Sequence, residues 1–125
     1  LLDFTGWACA NCRRVEENTW SEPKVYEMIN NEFILISLYV DDRSDLNQDQ
    51  IIILKDKNGN EKTLKKVGEK WSAFQTINFK NNSQPYYVLL SPNLEVLNKP
   101  IQYTDTETYQ SWLSEGLDNF NKNYK

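Results

Sequence analysis

Two cysteines stand three residues apart in the run Cys9-Ala10-Asn11-Cys12. The chain of 125 residues has no other cysteine and no histidine. That narrows the chemistry. A triad with an imidazole base cannot be built, nor can a zinc or haem site with histidine ligands. A four-cysteine zinc site lacks half its ligands. Two cysteines with carboxylates make an unusual ligand set, so neither a metal nor any other cofactor is expected. Thiol chemistry remains. The pair is either a dithiol that opens and closes or a fixed disulfide. So short a loop closes little chain and would stabilise a fold only modestly, so the redox role is the stronger reading.

The surrounding elements must give the two sulfurs different positions. Leu1 to Phe4 reads as the end of a buried strand, Thr5 to Ala8 as a loop, and Cys9 to about Asn18 as a helix. Residues three apart on a helix share a face, so the sulfurs can meet. Cys9 falls where free backbone N–H groups and the helix dipole favour a thiolate, the form that attacks a disulfide. Cys12 lies one turn deeper and is the resolving thiol. Arg13 and Arg14 add positive charge nearby. Asp3, six residues before Cys9, is placed to take the proton from Cys12 as a buried base of raised pKa. Glu16, four residues after Cys12, either tunes it or pairs with Arg13 or Lys24 on the surface. Pro85 opens a strong strand after a polar loop, where a cis bond is possible. A partner segment can add there as a strand. Trp7 and Tyr86 are candidates for an apolar rim around the sulfurs, with Trp20 assigned to the core. Asp41-Asp42 and Asn58-Gly59 read as a solvated loop and a hairpin tip.

The remaining chain supplies the frame. Ser21 and Pro23 mark a helix start, Ser21 as its cap, with Asn30-Asn31 at its end. Phe33 to Val40 reads as a central strand. Gln50 to Leu64 reads as a hairpin turning at Asp56–Asn60. A helix is expected from about Gly68 to Phe79. A strand follows at Tyr86–Leu90, with Leu94 to Leu97 pairing back. Asp105 opens a last helix, with a polar tail fraying after Asn119. No repeat or second domain is visible, so residues 1–125 form one domain. Its order of elements is that of an α/β sandwich around a mixed sheet. Apolar residues are 39% of the chain and the net charge is −4. The first figure supports a real core, and the second lacks the basic footprint of a nucleic-acid binder. No stretch is long enough to span a bilayer. The abrupt start in what reads as a strand suggests a fragment of a longer protein, with any targeting or membrane segment upstream.

Asp3-Phe4-Thr5-Gly6-Trp7-Ala8-Cys9-Ala10-Asn11-Cys12-Arg13, with the later Gln84-Pro85, resembles the thioredoxin superfamily. Cys9 to Glu16, followed by Asn18-Thr19-Trp20-Ser21-Glu22-Pro23-Lys24-Val25, resembles more narrowly the C-terminal periplasmic domain of DsbD-type transmembrane thiol:disulfide interchange proteins. The resemblance implies a thioredoxin-like three-layer α/β/α sandwich, with the hairpin as an insertion. It implies a periplasmic reductase tethered to the inner membrane, of the kind that also serves cytochrome c biogenesis. Such a domain passes electrons from a transmembrane donor to thioredoxin-like partners as a monomer, using only its own disulfide. By position, Cys9 attacks, Cys12 resolves, Asp3 and Glu16 are the nearby acids, and Pro85 is the cis-proline. Trp7, Gln84 and Tyr86 fall beside the partner segment. Ala8 stands where thioredoxins have Trp, and Ala10-Asn11 replaces Gly-Pro, so a thioredoxin-like potential does not follow. The alternative is a binding or chaperone module with a static disulfide.

Overall fold

Side chains alternate along a strand, and in the first strand that alternation sets the layering. In the computed structural model, which describes residues 1–124, β1 (Leu2–Thr5) is the middle strand of three. β2 (Ile36–Tyr39) pairs with it in parallel, with Thr5 opposite Tyr39. β5 (Tyr86–Val88) pairs with it antiparallel, with Phe4 opposite Tyr86. Leu1, Tyr87 and Leu89 join a core with Val15, Val25, Tyr109, Trp112 and Leu113 on one face. Phe4, Leu38, Tyr86 and Val88 form a second core on the other, against Trp71 and Phe79. Each fully buried side chain of this size contributes about 1.5–3 kcal/mol of transfer free energy.

Four α-helices cover these faces. α1 (Ala10–Arg14) runs into a π-helical turn (Val15–Thr19), and α2 is Pro23–Glu32. α4 (Thr106–Tyr124) lies on the same side. α3 (Val67–Phe79) supplies Trp71 and Phe79 to the second core. The fold is thus mixed α/β with one mixed three-stranded sheet and a separate two-stranded one. The latter is the hairpin of β3 (Ile52–Lys55) and β4 (Glu61–Leu64). Its base is pinched by an Asp45–Lys66 bridge and the Leu46 N–H on the Lys65 carbonyl at 2.7 Å. At its tip the Asp56 carboxylate accepts from the Asn58 and Asn60 N–H groups, and Gly59 takes φ 82°. Among the described residues no helix is long and apolar enough to cross a membrane.

Several local expectations are corrected. The helix after Cys9 does not stay α-helical to Asn18. From Val15 it widens, with the Trp20 N–H on the Val15 carbonyl at 2.9 Å, an i→i+5 bond. Ser21 is not a cap: its hydroxyl donates back to the Glu17 carbonyl, and Glu22 holds the N-cap position before Pro23. α2 also continues through Asn30-Asn31 to Glu32. Phe33 to Val40 is not a central strand. Only Ile36–Tyr39 is extended in register, and β2 lies at the edge of the sheet. Leu94 to Leu97 does pair back antiparallel, but as an isolated bridge, Leu90 to Val96, with the Leu97 N–H on the Leu89 carbonyl at 2.9 Å, and not as a strand; Leu94 takes φ 65°. α4 does not end near Asn119. Its backbone ladder continues to Tyr124, with Phe120 against the apolar cleft of Leu1, Leu94 and Leu117. Lys125 lies outside the described residues.

Candidate functional site

The strand register assembles the site at one end of the sheet. β1 ends at Thr5 and hands the chain to Gly6, Trp7, Ala8 and Cys9. Beside it β2 ends at Tyr39 and releases Val40-Asp41-Asp42. On the other side β5 begins at Tyr86, so Gln84-Pro85 falls at the same end. The Gln84–Pro85 peptide is cis.

Cys9 and Cys12 form a disulfide with Cα atoms 5.2 Å apart. The two sulfurs are unequal. Cys9 is the N-cap of α1, half-buried, and its Sγ accepts the Cys12 N–H at 3.1 Å. Cys12 is 1% exposed.

Arg13 ties the turn to the strand. Its Nη2 donates to Thr5 Oγ1 at 3.1 Å and to the Gly6 carbonyl at 3.2 Å, and lies 2.9 Å from Glu16 Oε2. Glu16 is thus the partner of Arg13, one of the two roles the sequence left open. Arg14 faces outward and donates to Asn11 Oδ1.

Asp3 is 2% exposed and shares the sheet face of Thr5, the face that Arg13 reaches from α1. Burial pushes its carboxyl up to about 6. The Ser37 hydroxyl opposes this by donating to Oδ2 at 2.9 Å. Glu16 adds to the upward push and Arg13 counters it. The same field reaches Tyr87, whose phenol is held protonated chiefly by burial and further by the neighbouring Tyr109.

Of the other sequence candidates, Trp7 is 65% exposed and stacks on Tyr39 with centroids 4.1 Å apart. Trp20 is a core residue, its indole N–H donating to the Tyr109 hydroxyl. Tyr86 is not a rim residue. It is 7% exposed and packs near Phe4 and Phe79, because its register beside Phe4 turns it into the second core. Gln84 turns its side chain inward, onto Gln75 Oε1 at 3.0 Å and the Asn82 carbonyl.

Two residues escaped the sequence. Gln75, fully buried on α3, donates to Asn81 Oδ1 and the Ser83 carbonyl and accepts from Gln84. It holds the loop before Pro85 from behind. Asp41 is not merely solvated: its carboxylate accepts the N–H groups of Trp7 at 3.0 Å and Ala8 at 3.2 Å. Only a polar residue inside an otherwise apolar helix pattern hinted at Gln75. Nothing local pointed to Asp41.

Among the described residues no group of three or more His, Cys, Asp or Glu is arranged to hold a metal ion. Compared with known proteins, the chain matches no family model and no curated protein.

Proposed function

We propose that this chain is a thiol:disulfide oxidoreductase of the thioredoxin-like class, working as a protein-disulfide reductase. The observation that carries the reading is the inequality of the two bonded sulfurs: Cys9 reachable and bonded to a backbone N–H, Cys12 sealed behind it. A structural disulfide needs no such asymmetry. Helices on both sheet faces and the cis Gln84–Pro85 peptide at the same end of the sheet as the pair support the three-layer thioredoxin-like arrangement.

The reaction runs in two exchanges. The Cys9 thiolate attacks one sulfur of a partner disulfide. That S–S bond breaks, a Cys9–partner disulfide forms, and the other partner sulfur leaves as a thiolate and takes a proton. Cys12 then gives its proton to Asp3 and attacks Cys9 Sγ. The mixed disulfide breaks, the second partner thiolate leaves, and the Cys9–Cys12 disulfide closes. Two electrons pass to the partner, whose two leaving thiolates take up one proton from solvent and one returned by Asp3. A base of pKa about 6 suits the proton step, since it is ionised at neutral pH yet close enough in affinity to accept a thiol proton. By the resemblance of Cys9 to Val25, the donor is a transmembrane thiol carrier. The acceptors are periplasmic thioredoxin-like proteins.

The test is a Cys12→Ser chain mixed with an oxidised thioredoxin-like acceptor. A covalent complex through Cys9, released by dithiothreitol, is expected. No complex while Cys9 still reacts with a small thiol reagent would remove Cys12 as the resolving thiol. A reduction potential below ~−300 mV would turn the reading to a static structural bond.

A further inference from the structure

The loop that presents Cys9 is held from two sides by opposite charges. Arg13 takes the Gly6 carbonyl and Thr5 Oγ1 from the helix side. Asp41 takes the N–H groups of Trp7 and Ala8 from the β2 side. The carboxylate is therefore bonded to the amide of the residue directly before Cys9.

Its position is built, not incidental. A Cβ on Gly6 would lie 3.1 Å from Asp41 Oδ2 and 3.3 Å from its Cγ, so a glycine lets the loop close onto the carboxylate. Behind Asp41, α3 packs its Gly68 against the backbone. A Cβ there would meet the Val40 carbonyl at 2.5 Å and the Asp42 N at 2.7 Å. The Gly68 N–H also binds the Asp42 carbonyl at 2.9 Å. The Trp7–Tyr39 stack makes a second tie between the same two segments.

We propose that Asp41 is a positioning residue for the attacking sulfur, fixing the loop before Cys9 and keeping a negative charge beside it that holds the pair on the reducing side. The inference rests on the dithiol-exchange reading above. Its logic is electrostatic. The amides of Trp7 and Ala8 point at Asp41, so their dipoles are spent on a carboxylate. A fixed negative charge beside Cys9 disfavours its thiolate. The disulfide carries no charge, so the cost falls on the reduced state. A pair whose reduced state is less favoured is the stronger reductant. Of the charged groups on or next to α1, Arg13 is paired with Glu16 and Arg14 bonds Asn11, while Asp3 lies on the sheet face that Arg13 reaches. Asp42 turns its carboxylate away, to the Ser44 N–H. Asp41 thus remains the acid directed at the loop.

The test compares the full chain with Asp41→Asn, Asp41→Ala and Asp41→Glu, with Asp42→Asn as control. Two readouts are taken: the pH profile of iodoacetamide alkylation of reduced Cys9, and the dithiol–disulfide equilibrium with glutathione. Asp41→Asn and Asp41→Ala are expected to raise the alkylation rate at pH 6 by about threefold or more. They should shift the glutathione equilibrium by a similar factor towards the dithiol. Asp41→Glu, which keeps the charge, should return both towards the parent, and Asp42→Asn should move neither. A merely structural role would not produce this ordering by charge. If the parent chain exchanges with glutathione and the Asn and Ala variants superimpose on it, Asp41 has no such role. If the parent does not exchange at any glutathione ratio, the dithiol reading itself fails and the inference with it.

Discussion

The Ser37 hydroxyl donates to Asp3 Oδ2 at 2.9 Å across the β1–β2 pair. The carboxylate that accepts it is only 2% exposed. Desolvation wins over it, so the carboxyl titrates near 6 in place of 3.8. The bond stabilises the ionised form, and two further charges pull on it with opposite signs.

One consequence is a stability that falls with pH. Below pH 3.8 Asp3 is protonated in both folded and unfolded chains and costs nothing. Between 3.8 and about 6 only the folded chain holds the proton, so stability drops as pH rises. Above about 6 the full penalty is present, on the order of 3 kcal/mol. Asp3→Asn should therefore be more stable than the parent at pH 7.5 by up to that order, with the gain gone below pH 4. Urea unfolding at the two pH values decides it, and equal differences at both would refute the assignment.

The same carboxyl should set the pH dependence of resolution. The rate at which Cys12 clears a mixed disulfide is expected to fall as pH drops through about 6. Ser37→Ala removes a bond to the ionised form and should move that midpoint up, by on the order of one unit. Arg13→Gln should also move it up, and Glu16→Gln down, because the first lowers and the second raises the Asp3 pKa. Stopped-flow resolution profiles would show the opposed signs. Shifts in one common direction would mean that Asp3 is not the group being titrated.

Gln75 offers a separation of affinity from chemistry. Gln75→Leu removes bonds to Gln84 Nε2, Asn81 Oδ1 and the Ser83 carbonyl; Gln84 keeps the Asn82 carbonyl and Asn81 Oδ1 keeps the Ser83 N–H and hydroxyl, so the cost is about 1–3 kcal/mol in unfolding free energy. Exchange with a protein disulfide should weaken through KM, while exchange with oxidised glutathione, too small to use the loop, should hardly change. An equal loss on both substrates would place Gln75 outside partner binding.

Gly68 admits no side chain. Gly68→Ala puts a Cβ 2.5 Å from the Val40 carbonyl, and backbone cannot yield as a flexible side chain does. A loss of about 2–3 kcal/mol is expected by denaturant titration. Gly59→Ala is a useful contrast: it meets no neighbour, and only its φ of 82° opposes it.

The parts of this molecule legible in its sequence are those written in neighbouring residues. The cysteine spacing, the hairpin with its Asn58-Gly59 turn, and the helix ending at Phe79 all depend on local pattern and are all present. The π turn at Val15–Thr19 was hidden because periodicity assumes 3.6 residues per turn and cannot register an inserted residue. The apolar run from Phe33 to Val40 reads as a central strand, whereas β2 lies at the sheet edge. Yet Ile34 is 80% exposed and Ile36 47%, which no composition distinguishes from burial. The facing of Tyr86 is not written locally, because it follows from pairing with Phe4, more than eighty residues away. The role of Asp41 is hidden for the same reason. Its partners lie 33 and 34 residues back along the chain.

The pinched base of the β3–β4 hairpin also bears on engineering. Leu46 and Leu64 are buried at that base, so the stem belongs to the packed body. The tip does not. Residues 55–61 are all exposed, and the side chain of Asp56 bonds only within the tip itself. Because the closing entropy of a longer loop grows only slowly with length, an epitope, a fluorophore or a whole second module grafted between Asp56 and Asn60 should leave the path of Asp41 into α3 undisturbed. The hairpin tip is the chain's permissive grafting point, and it lets the redox end be left untouched while the rest is tagged, tethered or displayed.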